Sequence, residues 1–165
     1  MRPELLGRLV DDHAAALQLY ARQWCDAPED VVQEAFIKLA GQKPEPDNPT
    51  AWLYCVVRNG ALSVARAARR RRHHETYAAT RHPAWFDPSD GIRLDADDAA
   101  RALGVLPLDQ REVIVAHLWG GLTFEQIGEL AGVSTSTAHR RYLAGLSALR
   151  ERLRVQWPNK TTTRI

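Results

Sequence analysis

Two stretches of the sequence gather hydroxyls, cations and aromatics at helical spacing. Thr135, Ser136 and Thr137 stand side by side, and His139, Arg140 and Arg141 follow at once. Side chains of these types hold phosphate oxygens and read base edges, arginine by presenting a planar fork of donors. The second group is Trp52, Tyr54, Arg58 and Asn59, extended by Arg66 and by Arg69, Arg70, Arg71 and Arg72. Aromatics beside cations can stack on unpaired bases while the guanidiniums track phosphates. Taken alone, Trp52 and Tyr54 have a plainer role as core residues. The chemistry of both groups is recognition of a polyanion.

Bond-making chemistry finds no matching pattern. Cys25 and Cys55 lack the paired spacing of a zinc site, and buried free thiols in a reducing compartment are the expectation. His73, His74 and His82 add neither a metal-ligand spacing nor a nucleophile–base pair. No cofactor, no metal and no enzymatic activity are therefore expected. No run approaches the ~20 apolar residues that span a bilayer. The opening MRPELLGRLVDDHAAA carries acids early and has no apolar signal core. A cytoplasmic protein without membrane insertion is expected. The net charge of +2 conceals an uneven distribution. Basic blocks at 66–72 and from Arg140 onward flank an acid-leaning stretch with Asp87, Asp90, Asp95, Asp97 and Asp98. That arrangement suits contact with a polyanion at two places, although a solvated helix face is the plainer explanation of each block.

The elements that would carry these groups are helical throughout, with no period-2 run and no hairpin signal. The expected fold is all-α: two small helical domains joined by a flexible linker, the C-terminal one a helix-turn-helix. Residues 1–75 form the first domain. Its helices are expected from about Leu5 to Trp24, from Asp26 with Pro28 in the first turn, and from about Thr50 to Arg72. The stripe Val31, Val32, Ala35, Phe36, Leu39 faces its core, and Pro44, Pro46 and Pro49 interrupt it. Residues 76–92 form the linker, where Trp85 and Phe86 are apolar groups free to dock; such a linker leaves domain orientation open until a partner fixes it. Residues 93–157 form the second domain and 158–165 a tail. There, a helix over 93–104 precedes PLDQREVIVAHLW, which stops at Gly120-Gly121. Thr123 and Gln126 have capping-box spacing, Ala131-Gly132-Val133 makes a tight turn, and Ser134 caps a long final helix. Ala138, Leu143, Leu146 and Leu149 are placed on the core side of that helix. A short helix, a glycine turn and a longer basic helix make a helix-turn-helix, whose second helix enters the major groove by its first residues.

The chain resembles an extracytoplasmic-function sigma factor of the sigma-70 family, the short kind with regions two and four. PEDVVQEAFIKLA is similar to region 2.2, PTAWLYCVVRNGALSVARAARRRR to regions 2.3 and 2.4, and residues 106–153 to region 4. The resemblance implies that Asp30, Gln33 and Glu34 meet the clamp helices of the largest subunit of core RNA polymerase. It implies a second contact with the flap of the second-largest subunit. The loop from Gln42 to Asn48 matches the family's base-capturing loop at the minus-ten element, and Trp52, Arg58 and Asn59 match the adjoining melting surface. Arg66, Arg69 and Arg70 extend that DNA-binding surface. Thr135, Ser136, Thr137, His139, Arg140 and Arg141 match the surface that reads the minus-thirty-five element. An anti-sigma factor is a further partner by analogy. The loop here is rich in proline, His139 stands where lysine is common, and Ser63 replaces a frequent aspartate. The rival readings are a stand-alone helix-turn-helix regulator, which would bind duplex DNA tightly without polymerase, and a small metal protein or enzyme.

Overall fold

The computed structural model describes residues 2–74 and 101–156. The expected linker, with Trp85 and Phe86, the start of the helix placed over 93–104, and the tail lie outside the described residues. Three helices form the N-terminal half: α1 (Pro3–Ala21), α2 (Pro28–Gly41) and α3 (Pro49–His74). Each begins with proline in its first turn, where the missing amide hydrogen would have had no helical acceptor. Asn48 adds a cap to α3, its side-chain oxygen accepting from the Ala51 amide at 2.9 Å. The second helix thus opens at Pro28 rather than at Asp26, with Glu29 and Asp30 in the first turn, where the helix dipole favours anions. α2 buries the stripe Val31, Val32, Ala35, Phe36 and Leu39 against α1 and α3.

The C-terminal half follows a helical turn over 101–104 with α4 (Leu108–Leu118), α5 (Phe124–Ala131) and α6 (Thr135–Gln156). α5 carries the full capping box: Thr123 accepts from the Gln126 amide, and the Gln126 side chain accepts from the Thr123 amide at 2.9 Å. It ends at Gly132, whose φ of 69° lies in the left-handed region. The Ser134 hydroxyl then accepts from the Thr137 amide at 3.2 Å and caps α6. On α6 the core side differs from expectation at one place: Leu143 is exposed, and Tyr142 packs inward instead. Cys25 is buried, but Cys55 is exposed.

α4 decides how the halves meet. Glu112, Val113, Ile114, Val115 and Ala116 are all buried, and five consecutive residues point to every side of a helix. α4 must therefore be surrounded. α6 and α5 cover part of it, while α1 closes over the rest. One apolar cluster accordingly runs through both halves. It joins Leu17, Tyr20, Leu53, Tyr54 and Val57 to Val113, Val115, Ala116, Leu122 and Ile127. A second, smaller cluster of Leu103, Leu106 and Ile114 seats the base of α6 through Leu149. The relative placement that the sequence left open is set here by the shared core.

The helix-turn-helix turn carries a direct prediction. Gly132→Val puts a β-branched residue at φ 69°, where an L side chain costs about 1–2 kcal/mol. Urea denaturation should show a lower midpoint with an unchanged slope.

Candidate nucleic-acid interface

The cap of α6 organises its own first turn. The Ser134 hydroxyl lies 3.0 Å from that of Ser136 and 2.9 Å from that of Thr137, so both partners are held in place before any ligand arrives. Thr135 and Ser136 are exposed, and Thr137 is half-buried. His139 and Arg140 are exposed beyond them, and Arg140 makes no ion pair among the described residues. The His139 ring stands edge-on to Phe124, centroids 4.9 Å apart, which ties α6 to α5. Phe124 in turn stacks on His117 at 4.4 Å. The His117 Nδ1 donates to the Leu122 carbonyl at 2.7 Å; a carbonyl can only accept, so the proton sits on Nδ1. The short helix and the long helix are therefore braced against each other by packed rings. Arg141 differs from Arg140: its Nε donates to an Asp109 carboxylate oxygen at 3.0 Å, and the pair is only partly exposed.

α3 presents a second stripe. Trp52, Asn59, Arg66 and Arg70 recur at helical spacing on one side, with Cys55 and Ser63 between them. Leu53, Val57 and Ala61 occupy the opposite, buried side. Asn59, Arg66, Arg69 and Arg70 are exposed, and Trp52 is half-buried against the core. Tyr54 takes the core role in full: it is buried, and its hydroxyl finds no hydrogen-bond partner among the described residues. Burial alone pushes the Tyr54 phenol well above its usual range.

Arg58 stands apart from its neighbours on the stripe. Its Nε donates to Glu112 Oε1 at 2.7 Å across the junction between the halves. The Tyr20 hydroxyl donates to the same oxygen at 2.8 Å. Burial and then the Glu112 charge push the Tyr20 phenol up. For Arg58, burial pulls the guanidinium down, but its bond to Glu112 and the opposite charge outweigh that and raise it. Glu112, at 5% exposure, is the one buried charged residue among those described. Sequence reasoning missed Glu112, Tyr20 and their role, and the only signal was an acid inside the apolar run EVIVA.

α2 turns Asp30, Gln33, Glu34 and Lys38 outward, on one helical face. Glu34 already pairs with Lys38 at 2.8 Å. Beside this polar face lies a feature the sequence did not announce. An apolar groove of about 370 Å³ opens between α1 and α2, lined by Leu6, Val10, Phe36 and Ile37 and edged by Gln33. Ile37 is 64% exposed at its rim. Among the described residues no cluster could hold a metal ion, and no helix is long and apolar enough to cross a membrane.

Comparison with known proteins places this geometry. Residues 9–71 match the family model described as sigma-70 region 2, and residues 102–151 match sigma-70 region 4. The RNA polymerase sigma factor CarQ of Myxococcus xanthus is 32% identical over 133 residues, covering 76% of this chain and 74% of that protein. The ECF RNA polymerase sigma factor EcfG of Rhodopseudomonas palustris is 28% identical, covering 86% and 78%. The same fold occurs in the sigma factor RpoE of Bartonella quintana, solved with the anti-sigma factor NepR. The TM-score is 0.73 at 24% identity, covering 94% of this chain and all of that one.

The Arg141–Asp109 pair yields a prediction. Asp109→Asn removes the carboxylate that competes for Arg141, so duplex DNA should bind a few-fold more tightly. The dependence of log affinity on log salt should steepen by about one phosphate contact. Titration at several salt concentrations measures both; an unchanged slope would mean that Arg141 faces no phosphate.

Proposed function

The chain belongs to the extracytoplasmic-function branch of the sigma-70 family of RNA polymerase sigma factors, and from that premise we propose which surface meets which partner. The protein is a sigma factor and serves transcription initiation. In the proposed scheme residues 1–75 bind core polymerase and the minus-ten element, residues 93–157 bind the minus-thirty-five element, and residues 76–92 link them. The observation that carries the DNA assignment is the first turn of α6, which projects from a capped, ring-braced helix-turn-helix with its hydroxyls and Arg140 outward. Thr135, Ser136, Thr137 and His139 reach base edges there, while Arg140 and Arg141 hold phosphates.

Asp30, Gln33 and Glu34 dock on the clamp helices of the largest polymerase subunit. The apolar groove beside them supports this reading, since a stable contact combines an apolar centre with a polar rim. Trp52 and Asn59 hold unpaired non-template bases, with Arg66, Arg69 and Arg70 along the backbone. Arg58 belongs to the same surface. The factor works by differential binding: it favours the opened promoter because its aromatic and cationic groups contact strands that the duplex conceals. No covalent step is assigned to it. A flap contact by the C-terminal half, an anti-sigma partner and a cytoplasmic location complete the proposal.

Purified protein should bind core polymerase saturably and be displaced by the primary sigma factor. Alanine at Asp30, Gln33 and Glu34 together should weaken that binding about ten-fold or more with only a small fall in melting temperature, because all three side chains are exposed and the variant loses no more than a first-turn dipole contact and the Glu34–Lys38 surface pair. Retained affinity would remove α2 from the interface. Arg140→Ala with Arg141→Ala should lower initiation at promoters that depend on the upstream element and flatten the salt slope by about two. Unchanged transcription there would refute the assignment of α6.

A further inference from the structure

α1 turns an apolar stripe inward, and a histidine interrupts it. Leu6, Leu9, Leu17 and Tyr20 pack into or against the core, and His13 fills the gap, four positions from Leu9 and four from Leu17. A leucine would serve the packing there; the imidazole adds a hydrogen-bonding nitrogen. Its Nε2 lies 3.1 Å from the hydroxyl oxygen of Thr50, in the first turn of α3. Both residues are half-buried and within reach of water, so this bond contributes modestly to stability. What it supplies is a fixed place for the start of α3.

Thr50 stands two residues beyond the loop Gln42–Asn48, and that loop takes its position from its ends. Pro44 and Pro46 fix their own φ, which leaves the loop little internal freedom. At one end the Gln42 amide donates to the Leu39 carbonyl at 3.2 Å. The other end is continuous with α3. The Asn48 side-chain oxygen accepts from the Ala51 amide at 2.9 Å, and the Asn48 carbonyl accepts from the Trp52 amide at 3.0 Å. Where the first turn of α3 sits thus decides where the loop ends and where Trp52 begins. The His13 bond ties that turn to α1 across 37 positions of chain. We propose that His13 is a positioning residue for minus-ten recognition. Through Thr50 it fixes the base of the loop against α1, and so sets which unpaired base the loop and Trp52 admit. Discrimination between bases needs walls held within about 0.5 Å, which a loop pivoting at one end does not provide. The inference rests on the reading of this loop as the base-capturing surface.

Two measurements on the full chain test it. Hydrogen exchange of the free protein reads the hold itself. His13→Ala and Thr50→Val should each speed exchange of the Ala51 and Trp52 amides about five-fold, the worth of one hydrogen bond. The double variant should go no further than either alone, because both remove the same contact. Transcription by core polymerase carrying this chain, from promoters randomised across the minus-ten element, reads the consequence. Preference at one minus-ten position should fall about five-fold. Preference in the minus-thirty-five element and affinity for core polymerase should stay as in wild type. His13→Gln, whose amide reaches Thr50 in place of Nε2, should restore both readouts. Unchanged exchange in both single variants overturns the proposal. So does a loss of preference spread over both elements, which would make His13 a general support of the fold. Faster exchange with an unaltered minus-ten preference overturns it too, and alanine at Lys43, Glu45 and Asp47 together then locates the fault. An altered preference in that variant keeps the loop as the reader and removes only His13. An unaltered one removes the loop from the minus-ten surface as well.

Discussion

A carboxylate buried between two half-molecules must find compensation for lost water, and the arrangement around Glu112 follows from that requirement. An isolated anion in such a place would be protonated or expelled. Glu112 accepts from a guanidinium on α3 and a phenol on α1, both at oxygen Oε1. These three side chains come from elements 92 and 54 positions apart in the chain, so their meeting pins the halves to each other at one point within the shared core. Apolar contacts alone would permit sliding; a shared acceptor does not.

The rest of the molecule is arranged about this junction. α4 lies at its centre because its buried residues face every side, and the two apolar clusters meet on it. The surfaces suited to recognition lie at the periphery. The first turn of α6 points outward from rings that fix it, and the polar face of α2 stands beside an open apolar groove. Arg58 alone among the candidate recognition residues is spent internally on the opposite half, and Arg141 is shared with Asp109 of its own half. Two otherwise similar arginines, Arg140 and Arg141, thus differ in availability for reasons outside their own helix.

The readily legible features were local ones. Thr123 with Gln126, the Gly132 turn and the Ser134 cap are settled within a few residues, and each appears as expected. The stripe on α2 declared which side of that helix is buried, and by exclusion which side carries Asp30, Gln33 and Glu34. Leu143 was misplaced because helical periodicity cannot tell which of two adjacent apolar residues, Tyr142 or Leu143, a neighbouring helix will cover. The groove between α1 and α2 was likewise hidden, since its volume depends on how far apart two helices settle.

What the sequence by itself determined is therefore the set of helices, their caps and turns, and the chemical character of the faces they turn outward. These depend on interactions spanning four or five residues, which a linear string contains in full. Only the tertiary structure decided that Glu112 is a buried acceptor shared by α1 and α3 rather than a solvated acid, that Tyr54 packs into the junction, and that Arg58 is paired across it. A charge has no fixed role until its surroundings set its solvation and its partners. For Glu112 those surroundings come from helices that the chain reaches only by folding back on itself.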